Sequence, residues 1–284
     1  MNVQPLDPSK PNAIEKQSIR FRAVFALPPR VFQRLSLAKV TPTNITLYVV
    51  SVVFMATLIR SAFGFGEALF AVPLLALRIP LKTAAPLAVL ISITIAAFII
   101  VQDWRQVHLR SAGWLLLSTL FGLPLGLMLL TNQHQQLIKL LLALVIILFA
   151  AYSLSKVHLP KLEADNKPWV LGCGFLAGIL GGAYGMNGPP LAVYGTARGW
   201  SPQNFRATLQ GYFLPASILG MAGYFWKGLW TAEVTHFYLL TLPATFPAIW
   251  LGRFVNHRLP LDNFRKFVFG GLFLIGLLLA LQAA

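Results

Sequence analysis

Long apolar runs alternate with short polar or glycine-rich interruptions along most of the chain. The runs are apolar on every side rather than on one face, which is typical of helices inside a membrane protein. A helix needs about 20 apolar residues to cross roughly 30 Å of hydrocarbon. The pattern therefore predicts spanning helices over residues 45–58, 83–101, 111–130, 137–154, 169–183, 207–225, 234–251 and 267–281.

Two glycine-rich breaks each precede a short apolar stretch. The first break covers 64–67 and is followed by 68–77, and the second covers 185–190 and is followed by 191–197. If each break interrupts one discontinuous crossing, the total is eight spans, and if both sides cross alone it is ten. The short stretches have only about half of the length that a crossing requires, which favours eight.

The order of breaks, basic turns and spans occurs twice. A shift of 121 residues places Gly64 on Gly185 and Val72 on Val193, which indicates an internal duplication. We therefore expect a basic polar tail (1–43), a first transmembrane repeat (44–154), a hydrophilic linker (155–167) and a second transmembrane repeat (168–284).

Composition supports a membrane protein. The chain is 57% hydrophobic and 11% charged, whereas a soluble domain carries roughly 25% charged residues. The expected fold class is an all-α integral membrane protein of about eight helices in two repeats. We expect it to be a multi-pass protein of the cell membrane, which is the inner membrane in a Gram-negative bacterium.

The formal net charge of +15 is distributed as in a membrane protein. Residues 1–43 hold seven basic residues against Asp7 and Glu15, and most other Lys and Arg flank apolar runs. Such residues anchor helices and favour the cytoplasmic side, so the N-terminus is expected inside, near anionic lipid. A transit peptide is the alternative for the tail. Nucleic acid is not an expected partner, and the oligomeric state stays open.

The sequence offers no sign of an enzyme or a metal site. The single cysteine, Cys173, lies in an apolar segment, and the five histidines are scattered without helical pairing. No nucleophile motif, zinc-protease motif or nucleotide-binding loop occurs. We therefore expect no catalytic residues, no metal and no cofactor.

The two breaks are the candidate substrate site. Backbone that leaves the helix inside a bilayer is tolerated where protein buries it or water bathes it, and matched breaks in two repeats point to a transporter's binding site. Gly64, Gly66, Gly185 and Gly188 permit close approach to the backbone, and Pro189 suits the first turn of a restarting helix. The N-terminus of such a helix attracts an anion.

Close helix packing is the alternative role for membrane glycines. It is the simplest interpretation of Gly178, Gly181 and Gly182, which precede the second break in the sequence.

Glu67 is the acid within the hydrophobic part of the first repeat, and it lies directly on the break. A buried carboxylate in a membrane is paired, protonated or functional. It is either a structural partner of Arg60 or another cation, or a proton-coupling or gating carboxylate. Simple exposure at the membrane interface is the least favoured alternative. Asn187 holds the nearly equivalent position in the second repeat and offers an uncharged donor and acceptor.

Basic residues follow both short stretches. Arg78, Arg198 and Arg206 are either interfacial anchors or an electrostatic vestibule that concentrates anions.

The break motifs GFGEALFAVP (64–73) and YGMNGPPLAV (184–193) resemble those of the TauE/SafE family of sulfite and organosulfonate exporters. The resemblance covers roughly 44–282. The family's further glycines are replaced at Glu67, Ala68, Asn187 and Pro189.

The resemblance implies a secondary transporter of a small anion, with sulfite, a sulfonate or a related oxyanion as the expected substrate and coupling to protons as a hypothesis. A cation permease and a non-transporting membrane scaffold are the competing classes.

Overall fold

The computed structural model describes residues 42–103, 108–155, 162, 166–258 and 261–283. Ten α-helices and no strand occur in this part of the chain. They are α1 (Pro42–Phe63), α2 (Glu67–Ala76), α3 (Leu81–Asp103), α4 (Leu109–Thr131), α5 (Gln135–Leu154), α6 (Lys167–Tyr184), α7 (Gly188–Ala197), α8 (Pro202–Trp226), α9 (Ala232–Arg258) and α10 (Leu261–Ala283). All but the first residues of α1 lie in the compact unit Thr46–Ala284.

The helical composition confirms the predicted fold class. Among the described residues, five helices are long and apolar enough to cross a membrane, namely α1, α3, α4, α5 and α9. Their outward surfaces carry large apolar side chains, such as Phe121 with 69% of its surface exposed and Trp250 with 76%. Exposed apolar surface on this scale belongs in lipid. The tail predicted over 1–43 and most of the linker predicted over 155–167 lie outside the described residues.

The short stretches after the two breaks form helices of equal length. α2 and α7 have 10 residues each, which at the rise of an α-helix is about 15 Å. That is half of the hydrocarbon thickness of roughly 30 Å, so neither helix spans a bilayer alone. The total of eight spans, in which each break belongs to one crossing, stays a prediction.

Glycines bring α4 and α6 into backbone contact. A Cβ added at Gly122 or Gly126 of α4 would clash with the carbonyl oxygens of Phe175 or Ile179. The facing glycines of α6 approach the backbone of α4 in the same way, as at Gly178. We call this contact the glycine seam; its residues are Gly122, Gly126, Gly174, Gly178 and Gly182. The packing role predicted for Gly178 and Gly182 is confirmed.

A second close contact joins α9 to α1. A Cβ added at Gly252 would lie 2.5 Å from the Ser61 side chain and 2.6 Å from the carbonyl oxygen of Leu58. Between these pairs, α3 packs against α8 and α9, and α8 packs against α4. α1 thus contacts α9 as α6 contacts α4, and α3 contacts α9 as α8 contacts α4. The duplication and the boundaries of its two copies stay predictions.

Candidate functional site

Each break contains residues that leave the helical conformation, whereas Glu67 and residues 188–190 already belong to the helices that follow. α1 ends at Phe63, and Gly64 and Gly66 then adopt φ values of +86° and +101°. α6 ends at Tyr184, and Gly185 adopts a φ of +67°. Side chains with a Cβ rarely occupy this left-handed region. Glycine at these three positions therefore allows the chain to turn within three residues into α2 and into α7.

Each break leads into the N-terminus of a short helix. The N-cap residues are Gly66 for α2 and Asn187 for α7, and neither caps its helix with a side-chain hydrogen bond. The first turn of a helix has N–H groups without intrahelical partners and the positive end of the dipole. Pro189 occupies the first turn of α7, as predicted, where a missing N–H is tolerated.

A cavity lies between the two helix N-termini. Its wall includes six of the predicted binding residues: Gly66, Glu67, Gly185, Asn187, Gly188 and Pro189. The centre of a water-sized sphere can move through about 20 Å³ of it, which is room for roughly one water. The structure therefore brings the two breaks together at one site, although they are far apart in sequence.

Gly64 is a predicted binding residue that does not line the cavity. Its carbonyl oxygen accepts a hydrogen bond from Nε2 of Gln210, at 2.7 Å. A Cβ on this residue would lie 3.0 Å from Cγ of Arg206. Gly64 is therefore linked to the cavity wall indirectly, through Gln210, whose Oε1 accepts a hydrogen bond from Arg60.

A buried ion pair forms one side of the cavity. Nη1 of Arg60 donates to Oε2 of Glu67 at 2.7 Å, and each side chain is only 2% exposed. The expectation that Glu67 has a cationic partner in Arg60 is confirmed. The role of Glu67 in proton coupling stays a prediction. Arg60 lies inside α1 rather than after it, because the helix continues for another turn to Phe63.

The guanidinium of Arg60 is held by several other groups. Nη1 also donates to Oγ of Ser92 at 2.6 Å, and Nη2 donates to Oε1 of Gln210 at 2.8 Å. The ring of Phe213 lies 4.8 Å from Cζ, a cation–π distance. The cation is thus fixed by α3 and α8 as well as by Glu67.

The ion pair leaves two of its polar atoms unsatisfied. Oε1 of Glu67 and Nε of Arg60 are buried and have no hydrogen-bond partner among the described residues. Buried polar atoms without partners are rare in folded proteins and call for an explanation. Glu67 is therefore held through a single oxygen, whereas Arg60 has three hydrogen-bonded contacts.

The second break has a neutral side chain at the corresponding place. Asn187 is 7% exposed, and its Nδ2 donates to the hydroxyl of Tyr212 at 3.4 Å. Gly181 makes room for it, since an added Cβ would lie 2.8 Å from Oδ1 of Asn187. Among the three glycines predicted to serve packing, Gly181 thus has a local role at the break.

The three arginines predicted as a vestibule are not in the wall of this cavity. Arg78 is exposed, and its guanidinium lies 5.8 Å from the ring of Tyr48. Arg198 is half-buried at the end of α7, and its Nη1 donates to the carbonyl oxygen of Leu162 at 3.3 Å. Their role in attracting anions stays a prediction.

Sequence reasoning missed several residues of the site. The sequence indicates Arg60 only as a partner for Glu67, and it does not single out Ser92 or Phe213. In a helix whose other residues are apolar on every side, the sequence does not show whether a single polar or aromatic residue faces the protein or the lipid. For Arg60 a signal was present, because a basic residue inside a spanning helix is itself a candidate functional group.

Comparison with known proteins identifies the family of the chain. The family model described as "Sulfite exporter TauE/SafE" matches residues 49–279, which include both breaks and all ten helices in whole or part. Neither the curated proteins nor the solved structures contain a match to the chain. A match over this length shows that the chain belongs to the TauE/SafE sulfite exporter family, whose members are multi-pass membrane transporters of small sulfur-containing anions.

Proposed function

We propose that this protein carries sulfite, a small sulfonate or a related oxyanion across the cell membrane through the cavity at the two breaks. We further propose that the movement is coupled to protons through Glu67. The observation that carries this proposal is a buried guanidinium in the wall of a cavity onto which two helix N-termini open.

The chemistry of the cavity suits an anion. Helix N-termini attract negative charge through unpaired N–H groups and the helix dipole, and Arg binds oxyanions through a planar fork of donors. The backbone around Gly66 and Gly188 would hold the substrate's oxygens, and the amide of Asn187 would add a neutral donor. The Arg60–Glu67 pair is neutral overall, so the helix N-termini leave the cavity with a positive potential, which argues against a cation permease.

Proton coupling is proposed for Glu67 because it is the acid in the cavity wall. A carboxylate in this environment exchanges its ionic partner for a proton when the partner is taken by something else. In this role Glu67 alternates between a salt bridge and a neutral, protonated state.

The test is uptake of labelled sulfite and labelled methanesulfonate into proteoliposomes, with and without an imposed proton gradient. We expect saturable flux that the gradient accelerates. Empty liposomes give the background. The substrate class would be refuted if neither these two anions nor a wider panel of anions were taken up. The protein used must be shown to be folded by size-exclusion chromatography.

Glu67→Gln tests the coupling. We expect it to lose gradient-driven accumulation while the variant remains folded. The matched control is Glu233→Gln, because Glu233 is exposed at the start of α9 and its Oε2 accepts a hydrogen bond from Thr83. Full gradient-dependent transport by Glu67→Gln would refute the coupling role.

A further inference from the structure

We propose that the Glu67 carboxylate is a tethered counter-ion that the transported anion displaces from Arg60, and that the site accepts a small monoanion together with one proton. The inference rests on the proposed function and names the charge state of its substrate. It follows from the contacts, the space and the charges of the cavity.

The contacts show which partner of the ion pair is fixed. Ser92 and Gln210 hold the guanidinium of Arg60 independently of Glu67, and Phe213 covers its face. The cation therefore stays in place when the carboxylate leaves. A fixed guanidinium is preorganised to bind two oxygens of an oxyanion.

Glu67 is the partner that can move. Only Oε2 has a hydrogen-bond partner among the described residues, and that partner is Arg60. The preceding residue, Gly66, has a φ of +101°, and an added Cβ would make no closer contact than an ordinary one, 3.7 Å from Cγ2 of Ile59. The carboxylate therefore sits at the start of α2 on a backbone position that tolerates reorientation.

The space in the cavity requires this displacement. About 20 Å³ is accessible to the centre of a water-sized sphere, and a single water already needs roughly 10–15 Å³ by this measure. A sulfite or sulfonate group has a central atom and three oxygens, so it does not fit beside the ion pair. Removal of the carboxylate from Arg60 opens both the volume and the donors.

The charges determine what accompanies the anion. Arg60 and Glu67 are the charged residues in the cavity wall, so the site is neutral while Glu67 is ionised. Adding a monoanion would leave one net buried negative charge beside the partial positive charges of the two helix N-termini. A buried formal charge without a formal counter-charge costs several kcal/mol. A proton on Glu67 restores neutrality. A dianion would leave an excess negative charge even then, so hydrogen sulfite and sulfonates are accepted and dianions are disfavoured.

The experiment measures proton uptake by the purified full chain in weakly buffered detergent solution as methanesulfonate is added. Methanesulfonate stays a monoanion, so any protons taken up go to the protein. We expect wild type to take up about one proton per anion bound, and its affinity to fall about tenfold for each pH unit that the solution is raised. Glu233→Gln should behave as wild type.

Glu67→Gln should bind the anion without proton uptake and with an affinity that is independent of pH. The glutamine keeps the size of the side chain and a donor and acceptor for Arg60. If the variant does not fold, proton uptake by the wild type decides alone. If wild type binds sulfite but not methanesulfonate, the uptake with sulfite is compared between wild type and Glu67→Gln, and a difference of about one proton supports the inference.

Three results overturn the inference. Anion binding by wild type without proton uptake refutes it and leaves anion transport intact. An unchanged pH dependence in Glu67→Gln does the same. Binding of sulfate at least as tight as that of methanesulfonate contradicts the preference for monoanions. A wild-type protein that neither binds nor transports any anion refutes the proposed function itself.

Discussion

The two breaks share one backbone design but differ in their side chains. Both turn through glycines at positive φ into a ten-residue helix whose N-terminus opens on the cavity. The first break adds a buried ion pair, Arg60–Glu67. The second adds a neutral amide, Asn187, that contacts Tyr212. Two breaks can therefore have matching backbone geometry while the charged side chains are concentrated at one of them.

Removing the cation of the first break should have the largest effect. We expect Arg60→Gln to destabilise the protein by about 3–5 kcal/mol, because it leaves the Glu67 carboxylate buried and unpaired. Thermal unfolding in detergent measures this, and anion binding should be lost. Lys227→Gln, at an exposed lysine directly after α8, should change stability by less than about 0.5 kcal/mol.

The double variant Arg60→Gln/Glu67→Gln sharpens that prediction, since it removes both charges. It should recover most of the lost stability without recovering anion binding. A double variant that is no more stable than Arg60→Gln would show that packing rather than charge explains the loss.

Alanine substitutions at Gly185 and Gly64 should lower the stability of the protein by different amounts at the two breaks. At Gly185 a Cβ would meet Cγ2 of Val89 at 2.9 Å and the carbonyl oxygen of Ala85 at 3.2 Å, in addition to the positive φ. We expect Gly185→Ala to cost about 2–4 kcal/mol, from strain of the left-handed backbone and overpacking. Gly64→Ala should cost about 1–3 kcal/mol, because the contacts of its added Cβ, 3.0 Å from Cγ and 3.2 Å from Cβ of Arg206, are slightly longer.

Gly228→Ala is the control for these variants, since Gly228 has a φ of +69° and open space around it. It should show the cost of the backbone conformation alone, about 1 kcal/mol. The thermal unfolding temperature should fall most for Gly185→Ala, less for Gly64→Ala and least for Gly228→Ala. An equal loss at all three would mean that the neighbours of the breaks add nothing.

Asn187→Ala should have the smallest effect on stability. It removes a hydrogen bond with a long donor–acceptor distance of 3.4 Å, so the expected loss is about 0.5–1 kcal/mol. The proton taken up per anion should be unchanged, because Asn187 does not titrate. Asn204→Ala, at the start of α8, is the control. Loss of proton uptake in Asn187→Ala would place the coupling chemistry at both breaks rather than at the first.

Local features of the fold were predictable from the sequence, and relations between distant helices were not. The apolar runs predicted the long helices, of which five are long and apolar enough to cross a membrane among the described residues. The glycines and prolines predicted both breaks, because these signals act within a few residues. The Arg60–Glu67 ion pair could be expected as one of the alternatives for Glu67, because the two residues are only a few positions apart in the sequence. The contacts from Ser92, Gln210 and Phe213 depend on which face of α3 or α8 points inward, and an all-apolar helix does not encode this in its periodicity.

The glycine seam limits where the protein can change shape during transport. Alternating access requires part of a transporter to move against the rest around a fixed site. α4 and α6 touch through their backbones over several turns, so we expect them to travel as one rigid body. We expect relative motion to be absorbed at the breaks, where Gly64, Gly66 and Gly185 with their positive φ values would act as hinges. A cross-link that fixes α4 to α6 should therefore leave turnover intact, whereas one that fixes α2 to α3 should stop it.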